Sequence, residues 1–566
     1  MTPEQHLADL AARYWAILCA ESPFSAILAG AKVEGAILFR ESAADHTRRD
    51  GLAAELLTEL ATIPTEALGI TDRATHQLLQ RELSDIRAQF AVHAHLRPWL
   101  LPVGPDFNTV FFANSIALTT TDDARLYADR LETIPAFLQD IMDNLSAGHA
   151  LGIRYPADVL AAAAANSAGM AKAAPEASPW YGPFTRSAAT FPNQAGRARA
   201  IIADQILPAL RRYVDHLSGA IANGARATMA CTDSPDGEAY YRTFVRHFTT
   251  TDMEPAAIHQ LGLAEVARLE SAMAEVAADA GFPGDIDGYR RHLQTDPAFI
   301  PPTAEALLQS VQILCKRIDR QIPAWFKRIP RITYGVESIP PALSVAMPSA
   351  YAQPSPADGS SAGIFWVSSL PEKCPTYTHA ALAAHEAWPG HLMHIALMQE
   401  LEGLPDFRRH GAVKYTACVE GWALYCEGLA SEMGLYPTPH DRFGWLEMEM
   451  WRACRLVVDT GLHWHGWSRP QAIDYMAARL TLSRDTIAAE VDRYAALPGQ
   501  ALAYQIGNLK LRALRRRAEA ALGDRFTHRD FHEVVMTAGG VTLPILEEIV
   551  DDWLSRVAGP QATLAA

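Results

Sequence analysis

The stretch "AAHEAWPGHLMH", residues 383–394, decides how this chain is read. The commonest zinc-binding helix motif, His-Glu-x-x-His, sets two imidazoles one turn apart with a carboxylate beside them. Here His385 and His391 are six residues apart. On an unbroken helix that spacing turns the two side chains about 120° away from each other, too far to share an ion. Pro389 and Gly390 stand between them. Proline removes a backbone donor and crowds the preceding turn, while glycine enters conformations closed to other residues. The spacing therefore predicts a two-residue widening of the helix, in the manner of a π-bulge. That widening returns His391 to the face of His385 and leaves Glu386 beside both. Two other readings stay open: His391 and His394, one turn apart, as the ligand pair, or His385 and His391 as hydrogen-bonded core residues.

Three protein ligands with one open position characterise a catalytic zinc, whereas four protein ligands close a structural one. The missing carboxylate is expected on a following helix. Glu420 in "CVEGWALYCEGL" (418–429) is the candidate, beside Gly421, where a second backbone can approach closely. Glu427, two turns further along the same face, competes with it. One Zn2+ is the expected cofactor. Glu386 then stands where a general base would take a proton from an activated water. The oxyanion needs a further donor, and Tyr504 in "PGQALAYQIG" (498–507) is the candidate, with a buried core tyrosine as the plain alternative. Gln500, four residues earlier on the same face, is a candidate substrate contact. Asp459 and His463 in "VVDTGLHWH" (457–465) are spaced as a carboxylate–imidazole pair that would orient a ligand or meet substrate. Arg493 is a candidate partner for a substrate carboxylate, with a surface position as its alternative.

Outward from these segments, helical periodicity dominates. "PEQHLADLAARYWAIL" (3–18), "AGRARAIIADQILPALRRYVDHL" (195–217) and "AEALLQSVQILCKRIDRQIPAWF" (304–326) place apolar residues at three- and four-residue steps. In "TDMEPAAIHQLGLAEVARL" (251–269), Thr251 is the expected N-cap, with Glu254 three residues on and Pro255 in the first turn. Between 330 and 375 the pattern changes. "PALSVAMPSAYAQ" (341–353) and "AGIFWVSSL" (362–370) favour strands and are separated by the turn-rich "PSPADGSS". They predict a small β-hairpin or ribbon just before the motif, and an exposed edge of "GIFWVSSL" would suit an extended peptide. The fold class is mainly α: a large helical bundle forming a substrate cleft or channel. It is read as one metallohydrolase-like unit over 1–566. The Ala-rich 159–178, helix or linker, is the place for a boundary between lobes at about 1–175 and 176–566.

Forty-nine Lys plus Arg against 64 Asp plus Glu leave a net charge of −15. With no basic cluster, neither nucleic acid nor an anionic membrane is an expected partner. No apolar run reaches the ~18–20 residues that cross a bilayer. The first residues lack the basic start and apolar core of a secretory signal. Seven scattered cysteines without a Cys-x-x-Cys pair suggest reduced thiols, and so a cytoplasmic setting. Oligomeric state leaves no mark in the sequence.

Four blocks, "HEAWPGH", "VEGWALYCEGL", "RLVVDTGLHWHGW" and "RYAALPGQALAYQIGNLKL", resemble in that order the signature blocks of the bacterial family called domain of unknown function 885. "SPWYGPF" and "IHQLGLAEVARL" add weaker matches, so the resemblance runs over most of the chain. It implies a likeness to the helical zinc peptidases, those similar to angiotensin-converting enzyme and thimet oligopeptidase. Dipeptidyl peptidase III, with an extra residue between its motif histidines, is a partial parallel. Carried over by position, the resemblance implies His385, His391 and Glu420 as ligands and Glu386 as base. Where this chain has His394 the family more often has Gln.

Together these readings predict a zinc-dependent hydrolase of amide bonds, acting on short peptides. The alternatives are a zinc amidohydrolase of small non-peptide or N-acyl amino acid amides, and a catalytically silent binding or scaffold protein.

Overall fold

A computed structural model describes residues 1–558 except 29–32, 34, 38, 102–103, 188, 345–346, 358, 360 and 412–413. Helix formation follows local signals closely. In α1 (Pro3–Glu21) the Thr2 side chain accepts from the Gln5 amide while the Gln5 side chain accepts from the Thr2 amide. This reciprocal cap satisfies two donors that no helical carbonyl can reach. A Ser42–Asp45 cap starts α2 (Ala43–Leu60) in the same way, and α3 (Ile70–Ala91) follows. The buried stripes of these helices, including Leu7, Leu56 and Leu79, join a core that also holds Leu397, Trp422, Leu511 and Leu546. A second core runs from Leu100 through Tyr213 and Leu269 to Val457 and Tyr494.

α4 (Gly237–Thr249) packs Tyr241 and Phe244 into a third, smaller core with Leu502, while α5 (Pro255–Asp279) adds Val266 and Leu269 to the second. Helix α5 starts one turn later than Thr251 would set it. Glu254 is the N-cap, its side chain bonded to Arg242 and not to the first-turn amides, and the Thr251 hydroxyl meets that of Thr249 at 3.0 Å. Pro255 fixes the start because its missing N–H is one that the first turn leaves unpaired in any case. The Ala-rich stretch takes the helical reading over Ala157–Ala171, with Val159, Leu160 and Ala163 buried.

A three-stranded sheet precedes the motif: β1 (Tyr334–Ser338), β2 (Ala350–Gln353) and β3 (Gly363–Val367), in the order β1-β3-β2. β2 and β3 form the expected antiparallel hairpin. The run "PALS" is a single helical turn, and Val345 and Ala346 lie outside the described residues. β1 was not legible as a strand; it pairs in parallel with β3. Its partner is therefore not an edge. Both sides of "GIFWV" are hydrogen-bonded within the sheet, which corrects the expectation that it could take up an extended peptide. Among the described residues no helix is long and apolar enough to cross a membrane.

Candidate metal centre

The motif does not widen its helix; it breaks it. α6 (His379–Glu386) ends at the glutamate, Ala387–Gly390 leave the helical path through a cis Trp388–Pro389 peptide, and α7 (His391–Gln399) starts anew. The expected π-bulge is thus replaced by two helices with independent directions. Gly390 permits the break: a Cβ there would lie 1.9 Å from the His385 carbonyl oxygen and 2.4 Å from that of Ala384. No side chain fits in that space. The indole N–H of Trp422 donates to the Pro389 carbonyl at 2.9 Å and holds the linker from the next helix. As a result the His385 and His391 rings stand 4.8 Å apart and perpendicular, both buried.

α8 (Thr416–Glu432) supplies Glu420. It packs on α10 (Ala503–Leu522) through glycine against glycine: a Cβ on Gly507 would meet the Ala417 carbonyl at 1.9 Å, and one on Gly421 would meet Gly507 Cα at 2.5 Å. This backbone contact brings Tyr504 to the side of Glu420. Glu420 Oε2 lies 3.4 Å from His385 Nε2 and 3.4 Å from His391 Nε2, and the three donor atoms fall within 4.8 Å of one another. A charged N–H···O bond is typically about 2.7–2.9 Å. Two ligands on one tetrahedral zinc, with arms of about 2.0–2.1 Å, stand about 3.3–3.4 Å apart. The donor types and the two 3.4 Å spacings from Glu420 are compatible with ligands around one divalent ion, all three donor atoms lying within 4.8 Å.

Glu427 faces the other side of His385, accepting from Nδ1 at 2.7 Å. It is placed to orient the ring rather than to share the cluster, and it leaves Nε2 facing Glu420. Burial alone would lower the His385 imidazole, but Glu420, Glu427 and Glu386 outweigh it and lift it to about 9. Glu420 is half-buried; His391 and His385 hold it well below the usual carboxylate range despite the opposing effect of burial. The surrounding carboxylates favour a proton on His385, and a divalent cation bound there would displace it. Glu386 is half-buried and accepts no hydrogen bond among the described residues. His394 does not join the group. It is fully buried against Trp422, neither ring nitrogen has a partner, and burial pushes it down to about 3.

Tyr504 is half-buried, its ring covered by the Arg455 guanidinium at 4.3 Å, and burial followed by the nearby Glu420 raises its phenol. Gln500 Nε2 donates to the Tyr504 oxygen at 3.4 Å, and Gln500 Oε1 accepts from Arg493 at 2.8 Å. Arg493 spends its other two donor groups on the two oxygens of Glu490. It is an inward-facing brace of Gln500 instead of an open partner for a substrate carboxylate. Nor do Asp459 and His463 pair. Asp459, on α9 (Pro439–His463), accepts from the Tyr241 hydroxyl at 2.7 Å and from the Gly499 amide. His463 accepts from the Cys231 amide and donates to the Tyr494 carbonyl. Each anchors the segment leading to Gln500 and Tyr504, and neither points at the cluster. Arg455 was missed in sequence, because an arginine within a helical pattern reads as surface.

A cavity of about 580 Å3 lies between α1, α2 and α3 and reaches Lys414 and Tyr415 at the start of α8. None of the cluster residues lines it.

Fold and site define a helix-rich protein built around a buried His–His–Glu cluster at a helix break. The family model for bacterial proteins of unknown function, DUF885, matches residues 23–550, and the chain belongs to that family. Two solved structures, both described as putative lipoproteins, share the fold. The one from Colwellia psychrerythraea is 27% identical with a TM-score of 0.92, covering 98% of this chain and 100% of its own. The one from Shewanella oneidensis is 17% identical with a TM-score of 0.74, covering 96% and 99%. No curated protein matches the chain.

Proposed function

We propose that the protein is a zinc-dependent hydrolase of amide bonds acting on short peptides, with His385, His391 and Glu420 as ligands. The observation that carries this reading is the 3.4 Å spacing of Glu420 Oε2 from both imidazole Nε2 atoms, next to a carboxylate, Glu386, that has no protein partner among the described residues. When bound, zinc would lower the pKa of a water and polarise the scissile carbonyl. Glu386 takes the water proton and delivers it to the leaving amine. Glu427 fixes the tautomer of His385 by holding Nδ1, so that Nε2 stays free to ligate. Tyr504 donates to the carbonyl oxygen as it gains charge, its ring set by Arg455 and its oxygen by Gln500. The likeness to helical zinc peptidases belongs to this proposal. So does a cytoplasmic setting, which the seven free cysteines support and which sits against the lipoprotein descriptions of the two relatives.

The test is zinc content together with hydrolysis of a short-peptide library by wild type and Glu386→Gln. The variant is expected to keep its metal and lose about 10²–10⁴-fold in rate. Full activity in Glu386→Gln, or no metal in protein prepared with zinc present, would overturn the reading.

A further inference from the structure

Immediately before Gly499, the residues Ala495, Ala496 and Pro498 wall a second void, of about 40 Å3. Arg97, Arg154 and Arg226 line the same void, although 129 residues of sequence separate the first from the last. Three arginines lining one void, Arg97 buried and Arg154 and Arg226 half-buried, normally gather carboxylates, because an arginine cannot shed its proton and a charge withdrawn from water is costly without a partner. Among the described residues none of the three forms an ion pair. Arg154 donates to the carbonyls of His149 and Ile153. Arg226 donates to the carbonyls of Thr228 and Met229 and to Ser234 Oγ. Arg97 donates to the Pro235 carbonyl and lies over the Tyr240 ring at 4.6 Å. Every acceptor is a neutral group.

Among the described residues no carboxylate beside the void is in ion-pair contact with the three arginines. Cys231, pushed up to about 12 by burial, adds no negative charge at neutral pH. Asp233, an exposed carboxylate that accepts from the Thr228 hydroxyl, acts on Arg226 only from a distance and forms no ion pair with it, and Asp459 is held by Tyr241 and Gly499. Arg97 is only 6% exposed, and its Nε–H has no acceptor among the described residues. The void has room for about three waters, or for one anion between chloride and nitrate in size.

We propose that this void binds one small monovalent anion, held by Arg97, Arg154 and Arg226. The anion supplies the charge that the arginines lack and braces the wall from which Gln500 and Tyr504 follow. Guanidinium suits such an anion because it is weakly hydrated for a cation and offers its N–H groups in a fixed fork. The site is separate from the His–His–Glu cluster and does not depend on its chemistry.

The full chain, dialysed into potassium gluconate, is titrated with potassium chloride at constant ionic strength while thermal unfolding and the chloride-35 NMR linewidth are followed. Chloride is expected to raise Tm by about 2–4 °C in a saturable manner and to broaden the resonance. Nitrate and formate should compete with it. Arg226→Gln should abolish both responses. Ser234→Asp places a carboxylate beside Arg226 and should raise Tm in gluconate while removing the chloride response, the opposite of what packing alone predicts for a buried acid. Equal Tm in both salts with no broadening overturns the proposal. So does a chloride response that survives in Ser234→Asp, a variant that decides the matter even if Arg226→Gln does not fold.

Discussion

The His385–His391–Glu420 cluster and the Arg97–Arg154–Arg226 void are unbalanced in opposite senses. The first gathers Glu386, Glu420 and Glu427 around two imidazoles, and its surplus is negative. The second gathers three guanidiniums around neutral oxygens, and its surplus is positive. Burial makes either surplus expensive, since a charge removed from water needs a partner. What a pocket lacks is therefore legible before any ligand is known: a cation in one, an anion in the other. The two differ also in construction. The acidic cluster is assembled by tight backbone contacts at Gly390 and at the Gly421–Gly507 crossing. The basic void is lined by arginines from three separate segments, each already tied to carbonyls nearby.

The contrast in construction is broken most forcefully at Gly390. Gly390→Ala puts a Cβ where the His385 carbonyl oxygen stands. It should cost about 3 kcal/mol or more, at the upper end for overpacking, and should abolish zinc retention, as read by urea unfolding and metal analysis. A variant that unfolds like wild type and holds zinc would show that the helix break tolerates a side chain. A smaller effect is expected at Glu427. Glu427→Gln leaves the three ligands in place but weakens the hold on His385 Nδ1. Zinc affinity should fall about 10–100-fold, measured by competition with a chromogenic chelator; an unchanged affinity would reduce Glu427 to packing.

A pH-dependent effect is expected on the anchor shared by the Tyr504 segment. Burial raises the Asp459 carboxyl from 3.8 to about 7. Between about pH 4 and pH 7 the folded chain keeps a proton that the unfolded chain has released, so stability falls as pH rises through that window and levels off above it. The contribution is at most about 4 kcal/mol. Comparing denaturant midpoints of wild type and Asp459→Asn at pH 5 and pH 7.5 isolates it. The wild type should lose more between the two values than the variant does; parallel losses would place the slope on other groups.

Much of the candidate site was readable because residue type and spacing carry chemistry. His-Glu beside a Pro-Gly interruption, and a glutamate next to glycine on a later helix, named the cluster that the fold brings together. The path of the chain through the interruption was not readable. Proline and glycine announce that a regular helix cannot continue, yet bulge and break satisfy that condition equally. The choice rests on Trp422 reaching the Pro389 carbonyl across 33 residues of sequence. Asp459 and His463 teach the same lesson. Their spacing brings them to one helix face, but Tyr241, more than 200 residues earlier, and the Cys231 amide claim them first. β1 failed for a related reason: "YGVES" has little strand character alone and becomes a strand by pairing with β3.

By itself, the sequence determined the helical architecture, the hairpin and the residue types of the cluster, because periodicity, capping and side-chain chemistry act over a few neighbouring positions. Only the tertiary structure decided that α6 and α7 are separate helices, that Glu427 takes the outer nitrogen of His385, and that three arginines meet without a carboxylate. Those outcomes depend on which distant backbones come into contact, and contact between distant backbones is set by packing of the whole chain.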